Sequence, residues 1–276
     1  MIYVPCNFCG CCEARLIHQE GQYTMWKCLS CGFIYLNPRP DFASLRSYYQ
    51  SYLPEDELGI EQWRQMMSPV FSWAAHFIEK NHPTGRLLDV GTGYGHFLLK
   101  MERRGWEALG LDISVAGVEY GRKRLGLNIL AQTLTESQLP DNHFDVITAF
   151  YLIEHLDDPM AFLRECHRVL KPGGLILIRY PHTTPIKDFL RLLGIPNSLY
   201  DAPYHLNDFS PKTIKKFLDK AGFTRCQSFI GGYTLPPHFS SRFVSRLFGA
   251  ISQGLFSLSG DRFLFPGVSK TATGRK

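Results

Sequence analysis

The chain has 276 residues, 45% of them hydrophobic and 20% charged, with a formal net charge of +5. That describes a globular protein with room for one large α/β domain and a small module, and a charge that permits anionic partners without demanding nucleic acid. No apolar run reaches the ~18 residues of a membrane span, and the first residues lack a charged segment leading into an apolar one, so no signal peptide is expected.

Six of the eight cysteines fall in the first 31 residues. A disulfide scaffold would spread its cysteines through the domain it staples, so clustering favours metal. The pattern is Cys6-x2-Cys9, eighteen intervening residues, then Cys28-x2-Cys31, each pair followed by glycine, Gly10 and Gly32. Two tight knuckles presenting two sulfurs each are the layout of a zinc ribbon over residues 1–40. Two short strands around Glu20-Gly21 make a hairpin between them. Four thiolates leave no open coordination position, so the zinc is structural. The competing reading is reduced bystander thiols, and Cys11 or Cys12 could replace Cys9.

Residues 41–83 read as a helical connector carrying Tyr48, Tyr49, Tyr52, Trp63 and Trp73. Aromatic stripes at helical spacing usually pack into a core, and the alternative is a lid over a ligand site. From residue 84 to 232 strands alternate with helices. "RLLDVG" is a strand and "HFLLKMERRG" a helix; "EALGLDIS" and "VAGVEYGRKRLG" repeat the pair; "NILAQT" is a short strand and "FDVITAFYLIEHL" a strand running into a turn. "PMAFLRECHRVLKPGG" reads as a helix stopped by Pro172-Gly173-Gly174, "LILIRYPH" as a strand, "SPKTIKKFLDKAGF" as a helix capped by Ser210 with Pro211 at its first position, and "TRCQSFIGGY" as a strand. This alternation implies a doubly wound, mostly parallel sheet.

"RLLDVGTGYG" places Asp89, Gly91, Gly93 and Gly95 on alternate positions after a strand. A strand, glycine turn and helix form a nucleotide-type site at the carboxyl edge of a sheet. Dinucleotide sites want G-x-G-x-x-G, and an acid two residues before the first glycine would repel a pyrophosphate. It suits a ligand with a positive end, such as the ammonium and sulfonium of S-adenosylmethionine. Twenty-three residues on, Asp112 ends the next strand, where an acid accepts both ribose hydroxyls.

With these motifs, and with "LGLDIS", "LPDNHFDVITAFYLIEHLDDP" and "LKPGGLILIRYP" in order, residues 84 to about 230 resemble the class I S-adenosylmethionine-dependent methyltransferases. The run is similar to the bacterial subgroup that includes ubiquinone-biosynthesis O-methyltransferases and sugar methyltransferases. The resemblance implies a Rossmann-like sheet of the seven-stranded type. It implies that Asp89, Gly91 and Gly93 line the methionine moiety, that Asp112 holds the ribose with Ile113 against the adenine, and that Leu134 takes the adenine edge. Thr133 stands where many relatives have an acid. Phe150 and Tyr151 would border the methyl group.

Methyl transfer needs an aligned nucleophile and a group to take its proton. His155, His182 and His205 fall near the carboxyl edge. His155 suits proton abstraction, although Glu154-His155 could instead brace the cofactor pocket. His182, where relatives often have asparagine, suggests a substrate contact, and His205 could hold a covering loop. No divalent ion is expected beside them. The acceptor pocket is expected to be roofed by residues 48–52 and "YDAPYHLNDF", with the ribbon beside it.

In the tail, residues 233–276, apolar residues recur at 243, 244, 247, 248, 251, 255 and 258, one face of a helix over 240–258 whose only charges are Arg242 and Arg246. Packing on the domain or across a dimer is the favoured reading. Peripheral contact with an anionic membrane is the alternative. "SKTATGRK" is a last strand or a frayed end. The expected function is methyl transfer to a small-molecule or glycan hydroxyl or amine, lipid-linked acceptors included, in the cytoplasm or at the inner face of the membrane. An RNA methyltransferase using the ribbon as a grip is disfavoured, because Arg15, Lys27 and Arg39 lie beside Glu13 and Glu20 and make no basic stripe. An adaptor with a degenerate methyltransferase fold is disfavoured by the intact acids and glycines. Nothing in the sequence sets the oligomeric state.

Overall fold

The computed structural model describes residues 1–50, 52–236, 239–260, 262–266 and 268–276, apart from the side chains of residues 42, 239–241 and 244. Strand β1 (Ala14–Glu20) turns back at Gly21 into β2 (Tyr23–Cys28), and β3 (Ile34–Leu36) adds to β2, all antiparallel. Helices α1 (Phe42–Gln50) and α2 (Glu57–Asn81) follow. Asp56 starts α2 by accepting from the Gly59 N–H.

The main domain then runs β4 (Arg86–Val90), α3 (His96–Glu102), β5 (Glu107–Leu111), α4 (Val115–Leu125), β6 (Ile129–Leu130), β7 (Phe144–Phe150), α5 (Pro159–Val169), β8 (Leu170–Tyr180), α6 (Thr184–Leu192), β9 (Asn207–Asp208), α7 (Pro211–Lys220), β10 (Thr224–Phe229), α8 (Phe239–Leu258) and β11 (Lys270–Arg275). Seven of these strands form one sheet in the order β10-β11-β8-β7-β4-β5-β6. β8, β7, β4, β5 and β6 are parallel, and β11 runs antiparallel between β8 and β10. The doubly wound reading stands, and the end of the chain is a sheet strand rather than a frayed tail. Ser210 caps α7 as expected, in a reciprocal box with Thr213.

Two readings change. The helix over 159–169 ends at Val169, and Pro172-Gly173-Gly174 lies inside β8. There the register slips from Phe144↔Leu170 to Val146↔Leu175, so the three residues bulge out of the strand instead of stopping a helix. The apolar stripe of the tail does not pack on the domain: Phe243, Leu247, Phe248, Ile251, Leu255 and Leu258 are exposed, while the Val244 side chain lies outside the described residues. α8 meets the body instead through Gly249, Ser252 and Phe256.

One core layer packs α2, α3 and α4 on the sheet through Phe71, Phe97, Met101 and Val118. The other packs α5, α7 and the N-terminal module, whose Phe33 meets Phe209 and Phe217 with ring centroids 5.2 and 4.8 Å away. The module is joined further by β9, the fourth strand of its sheet, paired antiparallel with β3. Among the described residues no helix is long and apolar enough to cross a membrane.

Candidate functional site

The turn after β4 carries Gly91, Gly93 and Gly95, all in the left-handed region. Behind it, Asp89 is 1% exposed and accepts from the hydroxyls of Thr92 at 2.7 Å and Thr148 at 2.6 Å. Burial raises its pKa to about 7 against those two hydrogen bonds. At the end of β5 the half-buried Asp112 accepts from the Gly93 N–H at 2.7 Å and the Ser114 N–H at 2.8 Å, and burial pushes its pKa up. Two distant acids thus converge on one bare stretch of backbone. α4 approaches it so closely that a Cβ on Gly117 would lie 2.8 Å from the Gly93 carbonyl oxygen.

Ile113 is half-buried beside Asp112, and Leu134 is buried in the core with Val90 and Leu111. Thr133 does not stand alone: its N–H and hydroxyl both bond Glu136, which also takes Arg46 of α1 at 2.5 Å. Phe150 turns into the core against Phe71 and Phe97, with ring centroids 5.0 and 4.7 Å away, so only its backbone reaches the edge. The next residue, Tyr151, holds a positive φ of 52°, a strained conformation for a bulky side chain.

A short 3-10 turn, Ile153–His155, follows. Both carboxylate oxygens of Glu154 are buried without a hydrogen-bond partner among the described residues, and burial raises its pKa to about 8. His155 Nδ1 lies 3.1 Å from both the Tyr49 hydroxyl and the Tyr204 carbonyl. A carbonyl only accepts, so Nδ1 carries the proton and Nε2 is left as an acceptor. Burial, and then the neighbouring His205, lower the His155 pKa to about 3, and the two rings sit 4.7 Å apart. The ligand atoms of Glu154, His155 and His205 all lie within 4.8 Å of one another, close enough to share a cation. His182 does not join them by ring contact among the described residues. Its Nδ1 is buried with no partner among those residues, and burial followed by Lys270 takes its pKa to about 4.

α1 lies across this edge. Arg46 ties it to Glu136 on one side, Tyr49 bonds the Tyr204 carbonyl at 2.5 Å on the other, and Tyr48 stacks on Tyr204 at 3.8 Å. Leu53 follows, its Cδ1 3.6 Å from where a Gly93 Cβ would be. The tyrosine stripe carried a signal for this contact, but its partner lies 155 residues away in the chain.

In the N-terminal module the Gly10 N–H bonds the Cys6 carbonyl and the Gly32 N–H the Cys28 carbonyl, closing two knuckles. The sulfurs of Cys6, Cys9, Cys28 and Cys31 lie within 4.8 Å of one another, with Cys6–Cys31 and Cys9–Cys28 both at 3.5 Å. Tetrahedral Zn–S bonds of ~2.3 Å set sulfurs about 3.8 Å apart, so the cluster fits such an ion. Cys11 bonds the Glu13 backbone instead, and among the described residues the converging sulfurs are those of Cys6, Cys9, Cys28 and Cys31, without Cys11 or Cys12.

The methyltransferase-domain family matches residues 62–228, more than half of the chain. Among curated proteins, the ubiquinone biosynthesis O-methyltransferase of Alkalilimnicola ehrlichii is 30% identical over 141 residues, 49% of this chain and 57% of that protein. A probable S-adenosylmethionine-dependent methyltransferase of Mycolicibacterium smegmatis is 34% identical over 134 residues, 48% of this chain and 49% of that protein. The chain thus spans about half the length of the curated relatives it matches. A methyltransferase from Archaeoglobus fulgidus shares the fold at TM-score 0.54 and 21% identity, over 80% of this chain and 100% of that one. So does phosphoethanolamine N-methyltransferase 2 of Haemonchus contortus, solved with S-adenosyl-L-methionine, at TM-score 0.56 and 16% identity over 95% and 71%. With the Rossmann-like sheet and the ordered motifs, these matches make the chain a member of the class I S-adenosylmethionine-dependent methyltransferases, a family of enzymes.

Proposed function

We propose that this protein transfers a methyl group from S-adenosylmethionine to a hydroxyl or amine of a small-molecule or glycan acceptor, at the carboxyl edge of the sheet. The observation that carries the reading is the convergence of Asp89 and Asp112 on the bare Gly91–Gly93 turn. Asp112 keeps one lone-pair direction on each oxygen for a ribose hydroxyl. Asp89 is a buried carboxyl with no cation beside it among the described residues, and a positively charged ligand would favour its ionised form. Ile113 and Leu134 flank the adenine, and the Phe150 backbone borders the reacting end. When bound, S-adenosylmethionine supplies an electrophilic methyl on a sulfonium.

His155 is the first choice of base. Its protonated Nδ1 is held by Tyr204, and burial keeps the ring neutral with Nε2 as the acceptor. His182 is the second choice, and His205 positions the loop beside His155. Residues 41–83 act as a lid through α1, residues 84–232 bind the cofactor, and residues 1–40 hold one structural zinc on Cys6, Cys9, Cys28 and Cys31. Reduced thiolates of this kind fit the cytoplasm. The tail, 233–276, offers α8 to the inner face of the membrane.

Transfer of labelled methyl should be measured against phenolic, amine, glycan, lipid-linked and RNA pools. Label in the small-molecule or glycan pools is expected, and label confined to RNA refutes the reading. On the identified acceptor, alanine at the true base should lower turnover by roughly 10²–10⁴-fold with cofactor affinity intact. If His155→Ala and His182→Ala both turn over like the parent, neither is the base.

A further inference from the structure

α6 is built inside out. Its one buried residue is Lys187, whose ammonium reaches the Ile17 carbonyl at 3.4 Å, pairs with Asp188 at 3.1 Å and lies 5.6 Å from the centre of the Tyr200 ring. Apolar residues on it and at its end face solvent instead: Phe189 is 59% exposed, Leu192 82% and Leu193, just past the helix, 58%. α8 repeats the arrangement. It docks through Gly249, Ser252 and Phe256, and its Leu247, Ile251 and Leu258 are 47%, 44% and 88% exposed.

Both helices spring from the same edge. α6 follows the carboxyl end of β8, and α8 spans the gap between β10 and β11, whose Phe229 and Thr271 lie in register with Arg179 of β8. α6 stands on the side of the N-terminal module, through Lys187 and Ile17, while α8 stands on the side of α2, around Pro69 and Trp73. Beside α8 the loop before β11 exposes Phe263, rests Phe265 on Phe248 at 6.3 Å, and is held by the Lys270 ammonium on the Phe265 and Val268 carbonyls. The two apolar faces therefore flank the edge where the acceptor must enter.

The surface is cationic as well as apolar. α8 carries Arg242 and Arg246 and no acid, and Arg246 and Arg262 are exposed. On α6, Asp188 is engaged by Lys187 and lies 3.7 Å from Arg191, whose side chain is 67% exposed. Exposed aromatic and aliphatic side chains ringed by arginine match the interface of an anionic bilayer, where apolar groups enter the acyl boundary and cations meet the headgroups. A two-fold interface between copies would set this patch on itself and bring its arginines together.

We infer that α6 and α8 form a two-legged membrane-docking rim around the acceptor entrance, and that the acceptor is an amphiphile or lipid-linked molecule taken from the bilayer surface. The second half rests on the methyltransferase reading; the docking itself does not. The full chain should be floated with vesicles of phosphatidylglycerol and phosphatidylethanolamine, with phosphatidylcholine vesicles as control. The parent should float with the anionic vesicles and lose part of its binding at high salt. Leu192→Glu with Leu193→Glu, and separately Leu247→Glu with Ile251→Glu, should each cut vesicle binding by roughly tenfold or more. Calorimetric affinity for S-adenosylmethionine should stay at the parent value, showing that both variants are folded.

A parent that stays unbound refutes the rim. Loss confined to the α8 variant refutes the two-legged arrangement. A parent dimer by light scattering that the same variants split assigns the patch to self-association and also overturns the proposal. If the parent floats but binds no S-adenosylmethionine, the docking stands and the methyltransferase reading fails.

Discussion

Replacing Asp112 by alanine tests the cofactor site most directly. In the free protein its carboxylate accepts from the Gly93 and Ser114 N–H groups at 2.7 and 2.8 Å, so it holds the glycine turn to the start of α4. In the complex each oxygen can add one ribose hydroxyl. Hydrogen bonds to a charged group contribute ~1.5–3 kcal/mol each, giving ~3–6 kcal/mol for the pair. Burial opposes the ionised form and raises the pKa of this carboxyl, which moves the net toward the lower end. A loss of ~3 kcal/mol corresponds to about 100-fold in Kd. Asp112→Asn should lose nearly as much, because its amide nitrogen would face a backbone N–H and its charge is gone. Isothermal calorimetry with S-adenosylmethionine measures both, and thermal denaturation of the free variants reports the loosened turn. Affinity within about threefold of the parent in Asp112→Ala would refute the ribose assignment.

Gly117→Ala should disturb the same turn from behind, since the new Cβ would lie 2.8 Å from the Gly93 oxygen and 2.9 Å from Leu53 Cδ1. A destabilisation of ~1–3 kcal/mol with weakened cofactor binding is expected, whereas Gly254→Ala on α8, with open space around it, should change neither. Asp89 should make cofactor affinity pH-dependent: its pKa is raised to about 7 in the free protein, and the ionised form suits a cationic ligand. Calorimetry should show Kd weakening by up to roughly tenfold per pH unit below 7 and levelling above it, and an unchanged slope in Asp89→Asn would remove Asp89 from the linkage. For stability of the free protein the sign is opposite. A carboxyl with a raised folded pKa holds more protons folded than unfolded, so its contribution is complete below the unfolded value and is lost as pH rises through about 7. Metal analysis should give one zinc per chain, and Cys28→Ser should release it while S-adenosylmethionine still binds; a metal-free parent would dismiss the zinc site.

Local spacing was enough for much of this protein. The two Cys-x2-Cys pairs announce a four-sulfur cluster because a knuckle is only a few residues long, and the sulfurs do converge. The glycines after Asp89 mark a turn because their left-handed backbone is a property of the residues themselves. Ser210 and Pro211 mark a helix start for the same reason. The alternation of strand and helix then implies the parallel sheet. Other features answer to partners far away in the chain. Periodicity shows that a helix has an apolar face, but only what it packs against decides whether that face turns inward, and in α6 and α8 it turns out. The Pro-Gly-Gly run reads as a helix stop until the register of β7 against β8 makes it a bulge. His155 is one histidine among three until Tyr49, Tyr204 and His205, from two other segments, close around its ring and fix which nitrogen carries the proton. These outcomes come from contacts between segments 49 to 155 residues apart or from pairing within the sheet. Such contacts depend on how the whole chain closes its core, a choice that no local window of residues contains.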